Sequence, residues 1–269
     1  MEFSHRFEPV CENLYRLWIP FENNGTSVFL IRCGHECDLL IDCATTASDV
    51  EEWIIPALTD IGAKPRYLLA THSHGDHMGG MKPLLARLPD LAVHMAAPAD
   101  GAGLFRDGDV FGTVTAVSLP GHSADSFAFL DSRTRALVTG DCLQLYGVSK
   151  WGTGLANPRE YLASIDKLRG MDIEAIIASH PYMGPEGKIE GRPEAHGKPA
   201  VRRYLDDCEA IVQDMYRFAE SAFAAGETDA APVAEHYFEM MKKAIPEFPT
   251  PSRHTFAAIL REIGENRVK

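Results

Sequence analysis

Three histidines and an aspartate fall within six residues, His72-Ser73-His74-Gly75-Asp76-His77, directly after the apolar run Leu68-Leu69-Ala70. No other stretch constrains the chain so strongly. Imidazole nitrogen and carboxylate oxygen are good ligands for zinc and related divalent ions, and both bind in unprotonated forms that are accessible near neutral pH. The preceding segment, Arg66–Ala70, reads as a buried strand, so the cluster stands at a strand end, where short turns can make side chains converge. Gly75, Gly79 and Gly80 are expected to leave room for those turns. A solvated histidine-rich loop has no reason to follow a buried strand so closely.

Three later features repeat the pattern. Pro120-Gly121-His122-Ser123 puts a histidine in a turn between strands. Thr139-Gly140-Asp141 ends an apolar strand on a carboxylate, and Ser179-His180-Pro181 ends another on an imidazole. A lone histidine at a strand end is usually structural. Three such sites after a His-x-His-x-Asp-His segment instead point to one metal centre built from His72, His74, Asp76, His77, His122, Asp141 and His180.

The surrounding chain reads as an α/β body. Strands are expected at Leu14–Ile19, Ser27–Ile31, Asp38–Ile41, Arg66–Ala70, Ala92–Met95, Val110–Ser118, Ser126–Leu130, Ala136–Thr139 and Glu174–Ser179. Ser48 can cap a helix through Val50–Ile55, which Pro56 would kink or divide. Asn157-Pro158 has the form of an N-cap and first helical position, with the helix running to about Arg169. Met183–Lys198 is rich in Gly, Pro, Glu and Lys and reads as a loop. Helical patterns follow from Val201 to Phe223, from Pro232 to about Met241 and from Thr255 to about Ile263. The chain is therefore read as a catalytic domain over 1–198 with a helical appendage over 199–269.

Composition narrows the function classes. With 26 Lys and Arg against 38 Asp and Glu, the formal charge is −12, and no basic run offsets it. Nucleic acid and anionic membranes are therefore poor partners, which leaves a small molecule. No apolar stretch approaches a membrane span, and the first residues do not have the form of a secretion signal, so a cytoplasmic location is expected. The six cysteines include no C-x-x-C pair and read as buried free thiols. His5, His35, His94, His196 and His236 are read as structural or surface residues. Neither a Gly-x-Ser-x-Gly elbow nor a P-loop suggests another mechanism.

Over roughly residues 10–185 the five ligand-bearing motifs occur in the order found in the metallo-β-lactamase-fold superfamily, which the chain resembles. That resemblance implies a four-layer αββα sandwich with the site at one edge between two sheets. It implies that His72, His74 and His122 hold one metal, that Asp76, His77 and His180 hold a second, and that Asp141 bridges them. Asp42, in Leu40-Ile41-Asp42, is similar to an acidic residue that orients a ligand from beneath. The implied cofactor is a pair of divalent ions, zinc foremost, with iron or manganese as alternatives. The implied reaction is attack by a metal-bridging hydroxide, with Asp76 and Asp141 able to shuttle protons.

An aspartate at 141 resembles the thioesterase and lactonase branch of that family, so a small ester, thioester or lactone is the expected substrate. Leu145, Tyr146 and Trp151 follow Asp141, and Tyr182 and Met183 follow His180, so all five are candidates for contact with it. His254 can reach the site from the appendage, which can also support a homodimer. Two rival readings share the fold: a mononuclear iron persulfide dioxygenase, and a ligand-binding regulatory protein with weak turnover.

Overall fold

The computed structural model describes residues 3–22, 24–34, 37–148, 151–188, 194–250 and 252–268. His35 lies outside the described residues. One sheet contains β1 (Glu8–Cys11), β2 (Leu14–Phe21), β3 (Asn24–Arg32), β4 (Asp38–Ile41), β5 (Pro65–Leu69), β6 (Ala92–Met95) and β7 (Ala102–Leu104), in chain order. Its first four strands pair antiparallel, and β4 through β7 pair parallel. Then come β8 (Val110–Phe111), β9 (Val114–Ser118), β10 (Phe127–Asp131) and β11 (Ala136–Gly140). A small ribbon, β12 (Gly147–Val148) with β13 (Trp151–Gly152), precedes β14 (Ala175–Ala178) and β15 (Glu194–His196). The second sheet runs β15-β14-β11-β10-β9-β8, with β11 and β14 parallel.

Neighbouring residues along one strand serve different cores, because successive side chains point to opposite faces. Leu39 and Ile41 join Phe29, Phe129, Val138 and Ile177 between the two sheets. Leu40 turns the other way, with Val28, Leu30 and Leu68, to meet Ile54, Leu58 and Leu84 of the outer helices. On the second sheet, Leu137 and Ile176 face Tyr161 and Ile165 of α5 (Pro158–Arg169) and Leu205 and Cys208 of α6 (Lys198–Ala224). Strands covered on both faces read as continuous apolar runs. The result is a helix–sheet–sheet–helix sandwich, as the resemblance implied.

Local structure departs from the sequence reading at several places. The first helix is capped by Thr46, not Ser48: the Thr46 side chain accepts from Asp49 N–H at 3.1 Å, and the Asp49 carboxylate accepts from Thr46 N–H at 2.8 Å. This reciprocal pairing satisfies two amides that Ser48 would leave open. The turn α1 (Ala47–Asp49) runs into a π-helical turn over Val50–Ile54 and then α2 (Ile55–Ile61). Pro56 lies in the first turn of α2, where its missing N–H costs little. The expected strand Val110–Ser118 is a hairpin of β8 and β9 turned at Gly112, whose φ is 61°. Within the expected loop Met183–Lys198, Glu194–His196 pairs with β14, and Arg16 forms a buried ion pair with Glu194 at 2.5 Å.

Two short helices, α3 (Gly75–Met78), which carries Asp76 and His77, and α4 (Met81–Arg87), were not foreseen. At the other end of the chain, α7 (Ala230–Ala244) and α8 (Arg253–Val268) pack with the last part of α6 through Met215, Val233, Tyr237, Phe256 and Ile259. Among the described residues no helix is long and apolar enough to cross a membrane.

Strand direction positions the site. Because β4 and β5 are parallel, as are β11 and β14, the C-terminal ends within each pair lie side by side. Register places Ile41 beside Leu69 and Gly140 beside Ala178, so the segments beginning at Asp42, Thr71, Asp141 and Ser179 emerge at neighbouring strand ends.

The glycines beside the histidines work by close approach and not by turn geometry. A Cβ on Gly79 would lie 2.1 Å from Thr45 O, and one on Gly80 would lie 2.1 Å from Cys43 O, whereas one on Gly75 would meet nothing within 4 Å. The φ values of Gly79 and Gly80, −62° and −76°, are ordinary for any residue. Gly80→Ala is therefore expected to destabilise the protein by about 1–3 kcal/mol through overpacking, with Gly75→Ala within about 0.5 kcal/mol of wild type. Urea unfolding of the two variants checks the contrast.

Candidate metal centre

The structure brings all seven predicted donors together in adjacent groups. His72 Nε2 lies 3.0 Å from His74 Nδ1, and His122 Nε2 lies 2.9 Å from the same atom. In the neighbouring group His77 Nε2 is 3.2 Å from His180 Nε2, and the two lie 3.5 and 3.3 Å from Asp76 Oδ2. Asp141 stands between the groups. Its Oδ1 is 3.4 Å from His77 Nε2 and 3.5 Å from His180 Nε2, while its Oδ2 is 3.7 Å from His122 Nε2. Three potential metal-holding sets result: His72, His74 and His122; His72, His77 and Asp141; and Asp76, His77 and His180.

Four of the five rings have the other nitrogen anchored. His77 Nδ1 donates to Asp42 Oδ2 at 2.7 Å, His180 Nδ1 to Gly25 O at 2.8 Å and His122 Nδ1 to Gly154 O at 2.6 Å. His72 Nδ1 is 3.1 Å from Thr71 Oγ1, which itself donates to Asp42 Oδ2 at 2.8 Å. A proton on each Nδ1 leaves each Nε2 as a bare lone pair facing the centre. A carboxylate behind His77, carbonyls behind His180 and His122 and a hydroxyl behind His72 are the kind of support that orients metal-ligating imidazoles.

Charge supports the same fit. Burial pushes the His72 and His122 imidazoles below the ordinary histidine value, so both are neutral donors. Burial would raise the Asp141 carboxyl, but His180 and His77 beside it hold it well below the usual carboxylate range. Burial likewise opposes ionisation of Asp76, and the His180 hydrogen bond and His77 outweigh it. His77 and His180 move the other way: burial disfavours their charge, and Asp141, with Asp42 or Asp76, raises both. Buried carboxylates here call for positive charge. The 3.3–3.5 Å spacings between those rings and carboxylates exceed the roughly 2.7–2.9 Å of a tight charge-assisted bond, which suits a shared cation.

Several supporting residues escaped the sequence reading. Thr71 links Asp42 to His72, and its backbone N–H donates to Asp42 Oδ1 at 2.8 Å. Gln144 Oε1 accepts from Gly154 N–H at 2.7 Å, bracing the loop that holds His122. Asp125 accepts from Ser73 N–H at 3.0 Å and from Ser123 Oγ at 2.7 Å, joining the two histidine loops. Thr71 and Asp125 each stand one to three residues from a donor, which is the only signal the sequence offers for them.

The donors open into a cavity of about 690 Å³. Its walls include Trp151, Tyr182 and His254, three of the predicted substrate residues, together with Phe21, Val148 and Arg253. Tyr182 also donates to Asp141 Oδ1 at 2.7 Å, and burial and that carboxylate push its phenol well up. Tyr146 is not among the lining residues. The chain turns through φ of 46° at Leu145 and 86° at Gly147, and the Tyr146 ring packs edge-on against Phe248 at 5.0 Å. Leu145 lines a separate cavity behind Tyr182, and Met183 is buried. His94 packs between Tyr67 and Phe111 as a structural residue.

Known proteins resemble this chain in both sequence and fold. A family model described as metallo-beta-lactamase superfamily matches residues 22–109. A lactamase-like protein of Penicillium aethiopicum is 31% identical over 250 residues, 91% of this chain and 72% of that protein. An atrochrysone carboxyl ACP thioesterase of a Cryptosporiopsis species is 35% identical over 212 residues, covering 77% of this chain and 63% of that protein. A lactamase-like protein of Emericella nidulans is 29% identical and is matched over 64% of its length, so the chain spans under two thirds of both these relatives. Among solved structures, a beta-lactamase domain protein from Burkholderia ambifaria superposes with a TM-score of 0.72 at 16% identity, over 100% of this chain and 91% of that one. A metallo-beta-lactamase family protein from Thermus thermophilus gives 0.68 at 19% identity, over 97% and 95%.

The Asp42 hydrogen bonds yield a direct test. Asp42→Asn removes the carboxylate that fixes the His77 tautomer while keeping the side chain's size. Metal affinity is expected to fall about 10–100-fold with the fold retained, which chelator competition and circular dichroism together check.

Proposed function

The chain belongs to the metallo-β-lactamase superfamily, and we propose that it is a metal-dependent thioesterase working with two divalent ions. The observation that carries this reading is the placement of Asp141 between two donor groups, His72-His74-His122 and Asp76-His77-His180, at the floor of one cavity. A single iron held by two histidines and one aspartate, as in the dioxygenase alternative, would leave several of these donors without a partner. The choice of thioester over ester or lactone draws on relatives named as thioesterases.

The residues divide the work. A metal pair held by these residues would supply Lewis acidity toward the acyl carbonyl and lower the pKa of a bound water towards neutrality. Four of the imidazoles, His72, His77, His122 and His180, hold their Nε2 lone pairs in place through the Nδ1 anchors already described, while His74 turns its Nδ1 to the same centre. Tyr182 fixes the rotation of the Asp141 carboxylate. Asp76, more exposed than Asp141, is placed to take the proton from the attacking water and deliver it to the departing sulfur. The water oxygen bonds to the acyl carbon, the C–S bond breaks, and a carboxylic acid and a thiol leave. Phe21, Val148 and Trp151 give the acyl group an apolar wall that excludes other water.

Elemental analysis of the purified protein is expected to give about two divalent ions per chain, zinc foremost. Asp141→Ala is expected to lose at least one of them and to lose thioester turnover. About one iron per chain, with oxygen consumed on a persulfide, would replace hydrolysis with the dioxygenase reading. Metal-loaded protein inert on a broad ester and thioester panel would favour the regulatory one.

A further inference from the structure

The cavity into which the donors open is also lined by a cation that the chemistry above does not use. Among the described residues that line the cavity, the only carboxylates are Asp76 and Asp141, and Arg253 is the only guanidinium. Both carboxylates are committed to the donor groups, and neither is paired with Arg253, an exposed residue of the same lining. The surrounding surface is unfavourable to an anion, since the chain carries a formal charge of −12. An anionic substrate therefore gains from a cation in the cavity lining, and Arg253 is where the fold puts one.

Its backbone is tied to the loop that holds His122. Arg253 opens α8, and two residues on, the buried Thr255 accepts from Leu155 N–H at 2.8 Å and donates to Thr153 O at 2.8 Å. Gly152 N–H donates to Thr250 O at 2.7 Å on the other side. Between these ties lies Gly154, whose carbonyl holds His122. A short run of hydrogen bonds thus joins the guanidinium's helix to a metal-site imidazole. The facing wall is apolar, with Phe21, Val148 and a Trp151 that is 56% exposed.

We propose that Arg253 determines specificity by binding a carboxylate or phosphate carried by the substrate, so that the favoured thioesters are anionic. This rests on the thioesterase reading for the position of the scissile bond but not for the existence of the anion subsite. Guanidinium binds planar oxyanions through paired hydrogen bonds that an ammonium cannot reproduce. The anion can sit on the acyl side or the thiol side of the scissile bond, and the test separates the two.

The experiment compares three thioesters: neutral S-phenyl thioacetate, the phenyl thioester of succinic acid, and S-acetyl 4-mercaptobenzoic acid. In wild type, one of the two anionic compounds is expected to show the higher kcat/KM, and that one identifies the side. Arg253→Gln is expected to lower the anionic-to-neutral ratio by about tenfold or more, mainly through KM, with Arg253→Lys recovering part of it. Metal content and melting temperature, read in parallel, separate this from a folding defect. An equal fall for all three compounds, or an unchanged ratio, overturns the proposal. Binding of the thioether analogues, in which a methylene replaces the acyl carbonyl, is measured by calorimetry on the same variants. If wild type hydrolyses no thioester, a selective loss of anionic analogue binding in Arg253→Gln upholds the subsite while the thioesterase reading fails. Equal analogue binding by both proteins overturns the subsite.

Discussion

The Asp42 carboxylate is the interaction on which the rest of the site depends. It is fully buried at the end of β4, and both its oxygens are used. Oδ1 receives the Thr71 backbone N–H, and Oδ2 receives Thr71 Oγ1 and His77 Nδ1. A buried anion is costly unless it is hydrogen-bonded and compensated, and here the compensation consists of the strand end and the metal-binding loop. The backbone turns sharply to achieve this, with Asp42 and Ala44 at φ of 61° and 58°. Aspartate tolerates that left-handed conformation better than most residues, but alanine does not, so the surrounding contacts hold the turn in place.

How much of this the sequence revealed depended on the range of the interaction. The gathering of these seven side chains was legible because metal chemistry restricts residue type, and strand ends restrict where such residues can meet. The central strands were legible because burial on both faces demands long apolar runs, as at Asp38–Ile41 and Ala136–Gly140. The short edge elements were not. The strands β7, β12, β13 and β15 are two or three residues long, too short for any period to show. The hairpin within 110–118 was hidden because Val110, Phe111 and Val114 all suit a strand, and only the φ of Gly112 breaks it. The Thr46 cap was missed because Ser48 offers the same hydroxyl two residues later, and only the return bond from Asp49 distinguishes them.

Supporting residues were the hardest to see. Thr71, Gln144 and Asp125 act through ordinary hydrogen bonds to backbone or to a nearby side chain, which many polar residue types can make. Tyr146 and Tyr182 show the converse. Both follow a donor closely in sequence and looked equivalent, yet backbone twists at Leu145 and Gly147 send the Tyr146 ring to Phe248, while Tyr182 reaches Asp141. Sequence proximity to a ligand says where a residue's backbone is. Which way its side chain goes is decided by packing that sequence spacing does not encode.

The centre also explains why two sheets with separate outer helices behave as one unit. His72, His74, Asp76 and His77 follow the first sheet's β5, while His122, Asp141 and His180 follow strands of the second. A cation held by both groups would therefore bond the two sheets at the edge where the apolar core between them ends. Any ligand that binds the native state and not the unfolded chain stabilises it in proportion to the logarithm of its concentration over its dissociation constant. Metal binding and docking of the two sheets are thus coupled by construction. The hydrogen bonds through Gly154 and Thr255 extend that link to α8, so the part of the cavity wall at the start of α8 is tied to the loop that holds His122.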